Sequence, residues 1–302
     1  MELKNDKHKL NFIIGTFFGF GEVLTGGNVA MHLLAYKLAE RGHNVYIFTK
    51  PEYHHENIHS IQSKSGHNDK GVMIHEWEGF SFPLDKTIAI YDEITHGNIF
   101  NVLNVNRWIL YNVDEHIENT WSESDTILNF GNFTNKKNIA DLPLTVFDYK
   151  FDYLYDEMRE RNGYCHILHK NTPHNADSIL DSYNSTDIGD WKSRGAYNYL
   201  REEFNKYKYF LTFDRHSFYT IAAGLCGCIP IILNPEDIPP QLYRSTNPQQ
   251  SVGIAYGIDD VQWAVSTLPY IRDHIKSLET LNNKTVDDFV SYWEDRTGVK
   301  KV

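Results

Sequence analysis

The 302-residue sequence has few cysteines, no long apolar run and no basic excess, and each shortage removes a class of protein. The three cysteines, Cys165, Cys226 and Cys228, are too few for a disulfide framework, and a zinc site would need a fourth ligand at suitable spacing. Cys226 and Cys228 flank Gly227 in an apolar segment, so buried free thiols in a reducing compartment fit better. The longest apolar run, Ile221 to Leu233, has thirteen residues broken by Gly224, Gly227 and Pro230. A bilayer span needs roughly 20, so no transmembrane helix is expected. The start, "MELKNDKHK", is charged and leads straight into "LNFIIG", without the apolar region of a signal peptide; the expectation is a cytoplasmic protein. A formal net charge of -11 argues against a broad nucleic-acid surface.

What is present is ordinary for a globular chain: 41% hydrophobic and 23% charged residues, and length enough for two domains. Histidine is plentiful at fifteen, but the cluster "HHENIH" (His54, His55, His59) sits in a polar, aperiodic stretch and reads as solvated loop. "LNFIIG" predicts a strand, followed by "TFFGFGEVLTGG" and a helix in which Val29, Leu33, Leu34 and Leu38 recur at helical spacing. Gly42 stands where a helix C-cap glycine belongs, and "NVYIFT" resumes as a strand. Further strands are predicted at "GVMIHEW", "TIAIYD", "RWILYN", "TILNF" and "LTVFD". This first Rossmann-like domain spans 1–150. After a polar, aromatic connector a second unit, 151–282, runs through a strand at Tyr164–Leu168 and a helix near 195–206 to the segment "FLTFDRHSFYTIAAGLCGCIPIIL". A helical stretch follows from Asp259 to Leu281, and "TVDDFVSYWEDR" predicts a last amphipathic helix, 283–302, able to pack back on the first domain. Two α/β halves joined by a connector imply a cleft between them.

Fold alone does not fix chemistry, so the loops at strand ends carry the argument. Gly26 and Gly27 allow close backbone approach to a ligand, and Asn28 is placed to cap a helix whose N–H groups favour an anion. The same glycines serve equally well as a plain tight turn. In "IYDEITHGN", Asp92, Glu93, His96 and Asn98 follow a strand, where carboxylate and imidazole suit proton acceptance from a hydroxyl and polyol binding. A solvated loop is the competing reading. "CHILHKN" ends a strand in His169-Lys170, where a lysine suits a phosphate. In "TFDRHSF", Asp214, Arg215, Ser217 and Tyr219 lie between a buried strand and a helix start, where Asp and Ser also serve as ordinary N-caps.

A dinucleotide site fits poorly: Gly19-Phe20-Gly21-Glu22-Val23-Leu24 puts leucine at the third small position, and the second strand ends in Phe48-Thr49-Lys50 without an acidic residue. No P-loop motif occurs. The Tyr-x-x-x-Lys spacing of epimerases and dehydrogenases falls at Tyr46 and Lys50, on a strand rather than a helix.

Taken in order, "LAERGHNVYIFT", "YDEITHGNIFNVLNVNRWIL", "GYCHILHKN" and "YKYFLTFDRHSFYTIAAGLCGCIPIIL" resemble the GT-B glycosyltransferases, most nearly bacterial and viral rhamnosyltransferase-like enzymes of surface polysaccharide synthesis. The resemblance touches both halves and about a third of the chain. It implies two Rossmann-like domains facing each other across a cleft, the N-terminal one for the acceptor and the C-terminal one for a nucleoside-diphosphate sugar. Relatives more often carry Arg-Lys where this chain has His169-Lys170, and Asp-Pro-x-Thr where it has Asp214, Arg215 and Ser217; these departures bear on which donor is held.

The implied reaction builds negative charge on a departing diphosphate. Gly26, Gly27, Asn28, His169, Lys170, Asp214, Arg215, Ser217 and Tyr219 are the candidate donor residues. Glu93 or His96, with Asp92 third, is the candidate general base, and Asn98 is a candidate acceptor ligand. The sequence lacks an Asp-x-Asp pair, so neither metal nor cofactor is expected. The alternative is a non-catalytic nucleotide- or glycan-binding protein on a degenerate GT-B fold. Either reading is compatible with peripheral membrane contact and with dimerisation, and neither involves nucleic acid.

Overall fold

The computed structural model describes residues 8–16, 26–49, 65–67, 73–76, 83–111, 113–130, 160–189, 196–233 and 238–299. The expected strand "LTVFD" and the histidines 54, 55 and 59 lie outside them. The chain divides into two units. One comprises Met1–Phe20, Gly27–Val146 and Glu279–Val302, the other Gly21–Gly26 and Phe147–Leu278.

The first unit is built on β1 (Asn11–Thr16), α1 (Gly26–Glu40), β2 (Asn44–Thr49), β3 (Ser65–His67), β4 (Met73–Glu76), β5 (Thr87–Asp92), β6 (Asn104–Ile109), α2 (Glu115–Glu118) and β7 (Thr126–Asn129). Its seven-stranded sheet has the order β3-β4-β2-β1-β5-β6-β7, parallel except for the antiparallel β3–β4 pair. A parallel sheet is covered on both faces, which is why β1 and β5 read as unbroken apolar runs. Phe12, Ile14, Ile88 and Ile90 pack on one side with the α1 stripe Ala30, Met31, Leu34, Ala35 and Leu38. Ile13, Ala89 and Tyr91 pack on the other with Val102 and Val105. α1 ends at Gly42, whose φ of 86° and N–H bond to Ala39 O at 2.9 Å make the left-handed stop its glycine predicts.

The second unit carries β8 (Tyr164–His166), α3 (Ala176–Ser182), β9 (Thr186–Asp187), α4 (Ala196–Lys206), β10 (Tyr209–Thr212), α5 (Phe218–Leu225), β11 (Ile229–Ile232), α6 (Pro240–Thr246), β12 (Ala255–Tyr256) and α7 (Val261–Thr267). Its five strands are all parallel, in the order β12-β11-β10-β8-β9. Pro230 is tolerated inside β11 for a geometric reason. The N–H groups of Ile229 and Leu233 bond to Lys208 O and Thr212 O, each at 2.8 Å, so position 230 faces away from β10. On that side β12 pairs only from Ile231 onward, and no ladder bond is forfeited.

The C-terminal helix differs from the sequence expectation. In place of two helices meeting near Leu281, a single helix α8 runs Ile271–Thr297, and the break falls earlier, at the 3-10 turn Leu268–Tyr270 that contains Pro269. Two asparagines inside a helix are weak formers, but tertiary bonds outweigh that preference. Lys37 Nζ donates to Asn283 Oδ1 at 2.7 Å, Arg41 Nη2 to Asn283 O at 2.9 Å, and Arg41 Nε pairs with Asp287 at 2.6 Å. Val286, Phe289, Val290 and Trp293 complete the first unit's core, each contributing about 2 kcal/mol of burial. Trp293 Nε1 donates to the buried Asn106 Oδ1 at 3.2 Å. Among the described residues no helix is long and apolar enough to cross a membrane.

Candidate functional site

Both sheets reverse direction once, and the sequence-predicted residues follow the strands at those reversals. Without β3, the first sheet runs from β1 through β2 to β4 on one side and through β5, β6 and β7 on the other. The second runs from β8 to β9 on one side and through β10, β11 and β12 on the other. In open α/β sheets ligands bind beyond the carboxyl ends of the strands at such a switch point. In the first unit that is the end of β1 and β5; in the second, the end of β8 and β10.

At the first switch point β5 ends in Asp92. Asp92 is 5% exposed, and its Oδ1 accepts from Thr95 Oγ1 at 2.5 Å. Glu93 is 8% exposed, and its Oε2 accepts from the Leu110 N–H at 3.1 Å, just past β6. His96 lies exposed at the loop's tip with its ring 5.7 Å from that of His116, whose Nδ1 is 2.5 Å from Asp114. Asn98 is engaged by its own loop: Oδ1 accepts from Tyr91 Oη at 3.2 Å, and Nδ2 donates to Val102 O at 2.7 Å. Burial holds the Tyr91 phenol well above its usual range, so it stays a neutral donor.

Gly26, Gly27 and Asn28 are the first three residues of α1, so Asn28 lies inside the first turn. The expectation that it caps the helix is corrected: Asn28 is itself a helical residue, inside α1 rather than before it. Among the described residues, a Cβ on Gly27 would meet only Leu110 Cδ1, at 3.4 Å, an ordinary contact.

At the second switch point β8 leads into His169 and Lys170, and β10 into Asp214, Arg215, His216 and Ser217. Ser217 is the N-cap of α5; its Oγ accepts from Tyr219 N at 3.1 Å, while Asp214 Oδ1 accepts from His216 N at 3.1 Å. Both residues are buried, and both serve the loop's own backbone as capping chemistry dictates. The His169 ring lies 6.2 Å from that of Tyr219, whose phenol burial also holds neutral. A second layer grips the loop. Tyr243 Oη contacts Arg215 O and Gln250 Oε1, and Gln250 Nε2 donates to Ser217 O at 3.2 Å and Thr220 Oγ1 at 3.0 Å.

Two residues escape the sequence reading. His216 sits where Arg215 and Lys170 both act on it: burial first, then Arg215, holds its imidazole below the ordinary value, with Lys170 adding to the effect and Asp214 and Asn247 opposing it. Lys170 and Arg215 therefore place two cations beside a His216 imidazole held toward its neutral form, next to the α5 N-terminus. The other is Arg107, 1% exposed within β6, whose guanidinium reaches the loop after β5. An arginine opening the apolar run "RWIL" is the sequence signal that could have found Arg107, because a cation in a buried strand must have partners. The cysteines are free and buried, and burial pushes the Cys226 thiol up to about 12.

Comparison with known proteins gives little to add. No family model and no curated protein matches the sequence. Among solved structures, the OtsA apo structure is similar over 97% of this chain and 100% of its own, at 8% sequence identity and a TM-score of 0.37, a similarity that transfers neither site residues nor activity.

Proposed function

We propose that this chain is a GT-B-type glycosyltransferase that moves a sugar from a nucleoside-diphosphate sugar to a hydroxyl of a glycan or glycoconjugate acceptor, without a metal. The observation that supports this best is the pair of cations Lys170 and Arg215, with the neutral His216 imidazole as a further hydrogen-bonding group, at the second sheet's switch point beside the first turn of α5. Departure of the diphosphate concentrates negative charge on its oxygens, and preorganised cations and helix N–H groups stabilise that charge without reorganising. His169 offers an exposed flat surface for base or sugar with the buried Tyr219 ring behind it, and Asp214 and Ser217 set the loop's shape and hold remaining acceptor capacity for donor hydroxyls. Gly26, Gly27 and Asn28 bring the backbone N–H groups at the start of α1 as a second contact for phosphate.

On the acceptor side, Glu93 or His96 takes the proton from the attacking hydroxyl, with Asp92 third and Asn98 assisting acceptor binding. The sequence's resemblance to rhamnosyltransferase-like enzymes favours a hexosyl or deoxyhexosyl donor. The test is release of nucleoside diphosphate from UDP-, GDP-, dTDP- and CDP-sugars, each with magnesium and with EDTA. Release that persists in EDTA supports the reading. Release that requires magnesium removes the metal-free mechanism, and none from any donor leaves the non-catalytic binding protein as the better account.

A further inference from the structure

We propose that Arg107 is a positioning residue that fixes the loop carrying Glu93 and His96, a role that rests on the acceptor-side assignment above. Its Nε pairs with Asp125 Oδ2 at 2.8 Å, its Nη1 donates to Thr95 O at 3.1 Å, and its Nη2 donates to Gly97 O at 2.7 Å. The guanidinium lies over the Tyr91 ring at 4.8 Å and the Trp121 ring at 5.3 Å. Thr95 O belongs to the peptide that precedes His96 and Gly97 O to the peptide that follows Gly97, so the fork holds the backbone on either side of the His96-Gly97 pair.

A purely structural ion pair would not need this arrangement. Asp125 occupies one guanidinium nitrogen, a task a lysine could perform, whereas the other two point away from it to the loop. The loop is held from two further sides: Trp121 Nε1 donates to Thr95 O at 3.1 Å, and Gly97 N donates to Thr120 Oγ1 at 3.0 Å. Gly97 has φ of 55°, a conformation that glycine adopts without strain. Burying a cation at 1% exposure is costly unless every donor is met, and the structure spends that cost on one surface loop at a switch point.

Arg107→Lys keeps a charge for Asp125 and loses the fork; Trp121→Phe keeps an aromatic face but loses the Nε1 donor and part of the ring area. The first readout is hydrogen exchange at the Thr95, Gly97 and Phe100 amides, all bonded within the loop network. The expected result is at least about tenfold faster exchange there in Arg107→Lys, with β1 and β2 amides unchanged and a smaller effect in Trp121→Phe. The second is nucleoside-diphosphate release from the sugar nucleotide that the native protein turns over fastest, with water as acceptor. Here kcat should fall at least about tenfold with donor KM within about twofold, because the loop acts on the attacking group. Unchanged exchange in Arg107→Lys overturns the proposal, as does a rise in exchange with kcat intact or a loss confined to donor KM. If the native protein releases no diphosphate from any donor, the functional reading fails by itself, and the exchange readout alone decides whether Arg107 holds the loop.

Discussion

Gly224, in the last turn of α5, offers a sharp test of the packing that presents the second switch point. A Cβ built there would overlap Ile271 Cδ1 and stand 3.7 Å from Leu268 Cδ1 and 3.8 Å from Pro230 Cγ. Gly224→Ala therefore carries two opposed effects. Alanine favours a helix interior by about 1 kcal/mol, and overpacking a filled core costs about 1–3 kcal/mol. The overlapped atom is the end of a flexible side chain, which points to the lower part of that range, about 1–1.5 kcal/mol, for a net loss of at most about 0.5 kcal/mol. Ile271→Val deletes Cδ1 and by itself costs about 1 kcal/mol for the cavity. In the double variant the new Cβ occupies the space that Cδ1 leaves, so both penalties fall together and stability returns close to native. Urea denaturation of the four proteins measures this as a coupling of at least about 1 kcal/mol in the favourable direction, with unchanged m-values. Losses that add to within about 0.5 kcal/mol would refute the packing argument.

Other outcomes follow from the same contacts. Ser217→Ala removes the α5 cap and leaves the buried Tyr219 N–H without its acceptor; urea melts should show a loss of about 1 kcal/mol, and no loss would mean the cap is dispensable. Phe289→Ala, at a residue 1% exposed with its ring 5.9 Å from Phe12, should cost about 3–5 kcal/mol, and a loss under about 1 kcal/mol would show that α8 is not part of the first unit's core. The acid limb of stability should steepen through His166 and His216. Burial lowers both imidazoles in the folded state, so the unfolded chain binds more protons as pH falls from about 6.5 toward the folded values, and stability drops across that window. Denaturant melts from pH 7.5 to 5 should show a shallower fall in His166→Gln/His216→Gln than in the native protein; equal slopes would assign the titration elsewhere.

The two-sheet α/β organisation was legible because buried parallel strands are written as short apolar runs. β1, β5, β10 and β11 each read that way, and loops follow β5, β8 and β10 where strand ends were expected. Sheet order was not legible, since pairings such as Ile14 with Ile90 join residues far apart in the chain. β9 and β12 are two residues each and carry no periodicity. The continuity of α8 across Asn282 and Asn283 depends on Lys37 and Arg41, which lie more than two hundred residues away. Arg107 read as one polar letter in "RWIL", because its value lies in carbonyls that only the folded loop brings within reach. At Asp214 and Ser217 the residue types announced a strand-to-helix loop, and the structure adds their capping bonds and the neighbouring His216.

The most direct test of the central claim is thermal stability in EDTA against UDP, GDP, dTDP and CDP, for the native protein and for Lys170→Ala. At about a hundred times its dissociation constant, a diphosphate bound at the second switch point adds about 2.7 kcal/mol, or roughly 5–10 °C for units of this size. The account predicts such a shift with at least one nucleotide and its loss or marked reduction in Lys170→Ala; no shift with any of the four, or an equal shift in the variant, would contradict it.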